Sequence, residues 1–202
     1  MRRLAVILLG WGAVNAAPFS HKVHLSLELA CTECHTAAAA STKAADNLLP
    51  AKAVCLQCHE DAQVPLPPKT SVAFFNHALH LKMGNVAPLV AAAIDKKTYL
   101  QPPGDTRSHL NTLDPCQACH RGLPESDQVS PAAMPRMADC LVCHTEIDNP
   151  FSCGKCHAKD ARLKPVSHVP GYLSSHTSGK LNLDKPSCVV CHGRSFRCLG
   201  CH

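Results

Sequence analysis

Aromatic residues are scarce in this chain: they fill 4% of its 202 positions, and the single tryptophan is Trp11. Large rings supply much of the buried area of an ordinary core. A conventional globular packing is therefore poorly supported. Long apolar stretches are missing too, because the run from Leu4 to Val14 is too short to span a bilayer. No βαβ pattern occurs, which argues against thioredoxin-like folds. The acidic residues show no paired arrangement suited to acid–base catalysis. Lysines and arginines are scattered, so the formal charge of +5 is no sign of a nucleic-acid partner.

Cysteine and histidine are abundant instead, with 14 of each. Every cysteine lies in a C-x-x-C pair, and a histidine follows every pair. The seven motifs are Cys31, Cys34, His35; Cys55, Cys58, His59; Cys116, Cys119, His120; Cys140, Cys143, His144; Cys153, Cys156, His157; Cys188, Cys191, His192; and Cys198, Cys201, His202. C-x-x-C-H is the attachment pattern of c-type haem. Two thiols add to the porphyrin vinyl groups, and the adjacent imidazole takes the proximal side of the iron. Zinc knuckles would not place a histidine directly after each pair. A redox C-x-x-C pair would appear once, and a disulfide framework would vary its spacings. The expectation is seven covalently attached haem c groups.

Seven histidines remain: His21, His24, His77, His80, His109, His168 and His176. One spare imidazole per haem would make every iron six-coordinate. His21 and His24 share one face if helical. They cannot bind one iron, because the proximal histidine already holds an axial side, so they serve two haems and draw them together. Met83, Met134 and Met137 read as packing residues, and Phe19, Phe75 and Phe196 as rings lying on haem faces.

The expected fold is mostly irregular, with short α-helices, little or no β-sheet, and haem as the core. Residues 1–16 have a basic start, an apolar run and small residues before the end, as in a Sec signal peptide. Export suits haem c attachment and points to the periplasm, the outer membrane or the cell exterior. Without Arg2 and Arg3 the charge falls to +3. Seven haems would then carry it to about −4 when oxidised and about −11 when reduced, counting propionates and iron.

Three modules follow. A two-haem module covers 17–63, and a Pro-rich stretch after Asp61 closes it. A three-haem module covers 72–160, with an insertion at 83–107. A two-haem module covers 161–202. The second repeats the first: Phe75, His77 and His80 match Phe19, His21 and His24, and Met134-Pro135 matches Leu49-Pro50, each pair six residues before a C-L-x-C-H. Such self-similarity marks an internal duplication. Short helices are expected over Thr36–Ala45 and Ala87–Lys97, and a turn at Pro102–Asp105.

F-x-H-x-x-H followed by C-x-x-C-H resembles the class III multihaem cytochromes c, and the C-terminal pattern is similar to the closing segment of larger bacterial multihaem cytochromes. The resemblance implies that the first histidine of each H-x-x-H serves the haem of the next motif and the second the haem after it. His21 would then pair with His35, His24 with His59, His77 with His120 and His80 with His144. His109 would be left for His157, and His168 and His176 for the last two. The chain departs from that family in carrying seven motifs and in placing His109 ahead of its module's first attachment site.

Bis-histidine irons have no open position and favour low potentials relative to Met/His ligation. The function expected is electron transfer, as in anaerobic respiration, between an inner-membrane dehydrogenase and a terminal reductase or outer-membrane conduit. It is not that of an enzyme. The alternatives are a multihaem reductase with one open iron, or a subunit of a porin–cytochrome conduit or a cytochrome filament.

Overall fold

The computed structural model describes residues 19–63, 71–144, 153–164, 168–178 and 185–192. The leader, Phe196 and the last attachment site (Cys198, Cys201 and His202) lie outside the described residues. Among those described there are eight short α-helices and no sheet. One isolated antiparallel bridge joins Val72 to His157. No helix among them is long and apolar enough to cross a membrane.

The helices are α1 (His21–Leu25), α2 (Cys31–Cys34), α3 (Lys52–Cys55), α4 (His77–Lys82), α5 (Ala87–Asp95), α6 (Met137–Cys140), α7 (Tyr172–Thr177) and α8 (Lys185–His192). Single turns of this length do not hold by propensity alone. Here α1 and α4 are fixed by matching caps: the Ser20 side chain accepts the Val23 amide, and that of Asn76 accepts the Leu79 amide. Ser and Asn are among the strongest N-cap residues because their oxygens satisfy an amide the helix leaves unpaired.

The expected insertion helix forms as α5, the longest, at nine residues. Pro88 sits in its first turn, where no amide hydrogen is missed. Lys97 has φ +57°, which turns the chain so that the Thr98 and Tyr99 amides both return to the Ala93 carbonyl, at 2.9 and 3.1 Å. The turn at Pro102–Asp105 also forms, with Gly104 at φ +56°. The Ala-rich stretch differs from expectation. Only Ala38–Ala40 is helical, as one 3₁₀ turn. The Asp46 carboxylate takes the Thr42 and Lys43 amides, at 3.1 Å each, and the Ser41 carbonyl accepts the Ala78 amide at 2.9 Å. These bonds turn the backbone away from a continuing helix.

A small hydrophobic cluster lies beside the insertion: Ala87, Val90, Tyr99, Leu110, Ala118 and Ala138. The inserted segment thus brings apolar packing to the attachment sites at Cys116 and Cys140. The first and second repeats also touch directly. Lys22 donates its amide to the Ser126 carbonyl at 3.0 Å, and Ser20 Oγ lies 3.0 Å from Asp127 Oδ1.

Candidate haem-binding centre

Five of the motifs share one backbone shape. The amides of His35, His59, His120, His144 and His157 each bond the carbonyl of the first cysteine four residues back, at 2.8–3.0 Å. A sixth motif, Cys188 to His192, lies within α8. One helical turn brings the first cysteine and the histidine to the same side, as a single porphyrin would require.

The histidine rings meet in pairs. The centroids of His21 and His35 are 6.5 Å apart, and those of His24 and His59 are 6.0 Å apart. His80 and His144 are separated by 6.3 Å, and His168 and His192 by 6.2 Å. These rings are too far apart for van der Waals stacking. Metal–imidazole bonds of about 2.0–2.1 Å on both sides of one ion, with roughly 1.1 Å from nitrogen to ring centre, would put the two centres roughly 6.3 Å apart. The four gaps are wide enough for one iron atom, which the paired imidazoles would hold.

Hydrogen bonds fix which nitrogen faces that gap. Nδ1 of His24 donates to the Ser20 carbonyl, and Nδ1 of His80 to the Asn76 carbonyl, both at 2.8 Å. Nδ1 of His35 donates to the Leu48 carbonyl at 2.7 Å, and Nδ1 of His120 to the Ala133 carbonyl at 3.2 Å. Nδ1 of His157 reaches the Ser71 carbonyl at 2.9 Å. A carbonyl only accepts, so each Nδ1 carries the proton and each Nε2 keeps its lone pair for a metal. Such outer partners orient metal-binding imidazoles and raise their basicity. The duplication extends to this level: Leu48 and Ala133 each lie 13 residues after the histidine they hold.

Aromatic rings back the same histidines. Phe19 stacks on His24 at 4.6 Å and meets His21 edge-on at 4.9 Å. Phe75 stacks on His80 at 4.4 Å and meets His77 edge-on at 4.6 Å. Both phenylalanines therefore brace imidazoles. Tyr172 plays the part in the third module, stacked between His168 at 4.7 Å and His176 at 5.7 Å.

Burial first, and then neighbouring imidazoles, push His21 and His77 below the ordinary histidine range. Burial also lowers His120, against the pull of the Ala133 carbonyl. The same burial favours the neutral imidazole, the form that binds metal, at all three. Nδ1 of His21 and of His77 is buried and has no hydrogen-bond partner among the described residues. His77 is an electrostatic neighbour of His120. His109 directs Nε2 toward Asp105 Oδ2, 3.7 Å away.

Several thiols also act on one another electrostatically. Each is raised first by burial, and then by neighbours: Cys34 by Cys55, Cys140 by Cys119 and Cys156 as well as by Asp139, and Cys191 by Cys153. Cys31, Asp114 and Cys116 form a group whose ligand atoms all lie within 4.8 Å of one another. Burial and then Asp114 push Cys116 up to about 12.

Sequence reading missed three kinds of residue. The cap residues Ser20 and Asn76 had a signal, since good N-cap types stand directly before the histidine repeat. The carbonyls of Leu48, Ala133 and Ser71 had none, because every residue carries one. The third kind is a buried polar group beside Cys119 and Cys140. Arg121 pairs with Asp139 there. Asp139 also accepts from the Tyr99 hydroxyl at 2.8 Å and the Arg136 amide at 2.7 Å, and Arg121 donates to the Ala118 carbonyl at 2.9 Å. Its members come from three distant stretches.

The family profile described as outer membrane cytochrome MtrC/MtrF-like, domains II/IV, matches residues 22–202. The chain belongs to this MtrC/MtrF-like family. The match spans the attachment motifs and makes the protein a multihaem c-type cytochrome. It supports that broad class and not specifically the class III type that the ligand motifs resemble. MtrC-like cytochromes are electron-transfer proteins that contain haem c. No curated protein and no solved structure shows a significant match to the chain.

Proposed function

We propose that this MtrC/MtrF-like chain is a seven-haem electron conduit in which every iron has two histidine ligands. The observation that carries the reading is the set of four histidine pairs at an iron-wide separation, each joining a motif histidine to an upstream one. Haem supplies the one-electron chemistry. Each C-x-x-C pair fixes one ring, and the paired imidazoles hold the iron. At His24, His35, His80, His120 and His157 the backbone carbonyls on Nδ1 would leave Nε2 free for it. His77 would complete the iron of His120, His109 that of His157, and His176 that of His202.

The same arrangement supports an order of transfer. Thiol neighbours link the second site to the first (Cys34 and Cys55), the first to the third (Cys31 and Cys116) and the third to the fourth (Cys119 and Cys140). They continue to the fifth (Cys140 and Cys156) and the sixth (Cys153 and Cys191). Electrons would pass along 2–1–3–4–5–6. The three-module division at 17–63, 72–160 and 161–202 follows the duplication. Export through residues 1–16 would place the protein in the periplasm, at the outer membrane or outside the cell. Its partners there would be an inner-membrane dehydrogenase and a terminal reductase or outer-membrane conduit.

One observation favours a second reading. His109 faces Asp105, which would leave the iron of His157 with an open position, as a multihaem reductase needs. Pyridine haemochrome and intact mass count the haems, and the reduced spectrum with carbon monoxide counts open irons. Seven haems with no carbon monoxide shift are the expected result. Fewer haems overturn the stoichiometry, and a shift worth one haem that H109A leaves unchanged moves the protein to the reductase reading.

A further inference from the structure

Two carboxylates stand at junctions between attachment sites, and their surroundings differ. Asp139 lies between the third and fourth sites, where its charge acts on both Cys119 and Cys140. Arg121 neutralises it. Asp114 lies between the first and third sites. Its Oδ2 is 3.4 Å from Cys31 Sγ, and its Oδ1 accepts the Cys116 amide at 2.8 Å. Its own amide donates to Thr112 Oγ1 at 3.1 Å. The carboxylate is therefore held in place by its own turn. Among the described residues it takes part in no ion pair.

In the loaded protein both sulfurs become thioethers, so Cys31 no longer donates a hydrogen bond. An uncompensated negative charge then sits beside the attachment edges of two redox centres. Reduction adds one electron to a haem and leaves one more negative charge on it. A fixed anion a few ångströms away opposes that addition, and more strongly in a half-buried setting than in water. Net charge and burial are recognised controls on the potential of protein-bound centres.

We propose that Asp114 is a potential-setting residue shared by the first and third haems, holding both below the potentials they would otherwise have. The inference rests on the seven-haem reading. It goes beyond it by making the 1–3 junction an electrostatic step in the path, whereas the 3–4 junction carries a compensated pair.

The test is a spectropotentiometric titration of the intact holoprotein against Asp114→Asn, which keeps an oxygen for the Cys116 amide and removes the charge. About a tenfold shift of the reduction equilibrium toward the reduced form is expected for two of the haems, 59 mV upward for a one-electron couple. Asp114→Glu keeps the charge and should keep the low potentials. Asp95→Asn removes an exposed carboxylate paired with Arg107 and should leave the titration unchanged. Should Asp114→Asn fail to mature, raised potentials in Asp114→Glu would overturn the proposal. So would an unmoved titration in Asp114→Asn, or one that shifts uniformly in both Asn variants. A haem count short at Cys31 or Cys116 in the unaltered protein would instead defeat the seven-haem reading.

Discussion

Replacing Arg121 with methionine isolates the contribution of the buried ion pair. The arginine and Asp139 side chains are only 8% and 5% exposed. Removing one member of such a pair costs about 3–5 kcal/mol, because a buried charge is left without its counterion. Asp139 would keep the Tyr99 hydroxyl and the Arg136 amide, which places the cost near the lower end, about 3 kcal/mol. A chain of this size loses about 2–4 °C of melting temperature per kcal/mol, so a fall of about 6–12 °C is expected. The assay is thermal and denaturant unfolding of the oxidised holoprotein, followed by far-ultraviolet circular dichroism. Asp139→Asn in the same chain should recover part of the loss, with a coupling energy of about 2 kcal/mol. A loss under about 1 kcal/mol, or strictly additive single and double variants, would show that the pair does not brace the third attachment site against the fourth.

Three further outcomes follow from the ring geometry and its supports. His24→Ala should open one iron, seen as carbon monoxide binding by about one haem in the reduced protein; no binding would mean that His24 holds none. Ser20→Ala should cost about 1 kcal/mol through the lost cap yet leave every haem low-spin, because the bond to His24 comes from the Ser20 backbone; new high-spin iron would refute that. Acid should weaken the fold. His21, His77 and His120 lie below the ordinary value of 6.5 when folded, so the unfolded chain binds protons more readily. Their contribution is complete above 6.5 and lost as pH falls through the folded-state values, and iron that competes with the proton moves this window further to acid. The denaturant midpoint should therefore be lower at pH 4 than at pH 7, and equal midpoints would contradict the assignment.

The backbone turn shared by the C-x-x-C-H motifs was legible in the sequence, because all five of its residues lie within about one turn. The pairing implied for His21, His24 and His80 reappears in the ring distances. Tyr99, Arg121 and Asp139 were not legible, since they are distant in sequence and become partners only after the insertion folds back. Asp114 carries no signal in the sequence, because only the fold sets it beside Cys31. The alanine-rich segment misled for a related reason. Local propensity favoured a helix over Thr36–Ala45, but Asp46 and the Ala78 amide competed for the same backbone groups.

The equal tethers from His35 to Leu48 and from His120 to Ala133 have a bearing on how such a chain can grow. Each is a closed loop whose two ends meet at one imidazole, so an added residue inside it would rotate that ring away from its metal. The large insertion at 83–107 enters upstream of the second tether and leaves its length untouched. Around His35 and His120, length is therefore fixed within the socket and free to change outside it. A chain built on this rule gains haems by adding whole sockets, and the wire lengthens without retuning the sockets already in it.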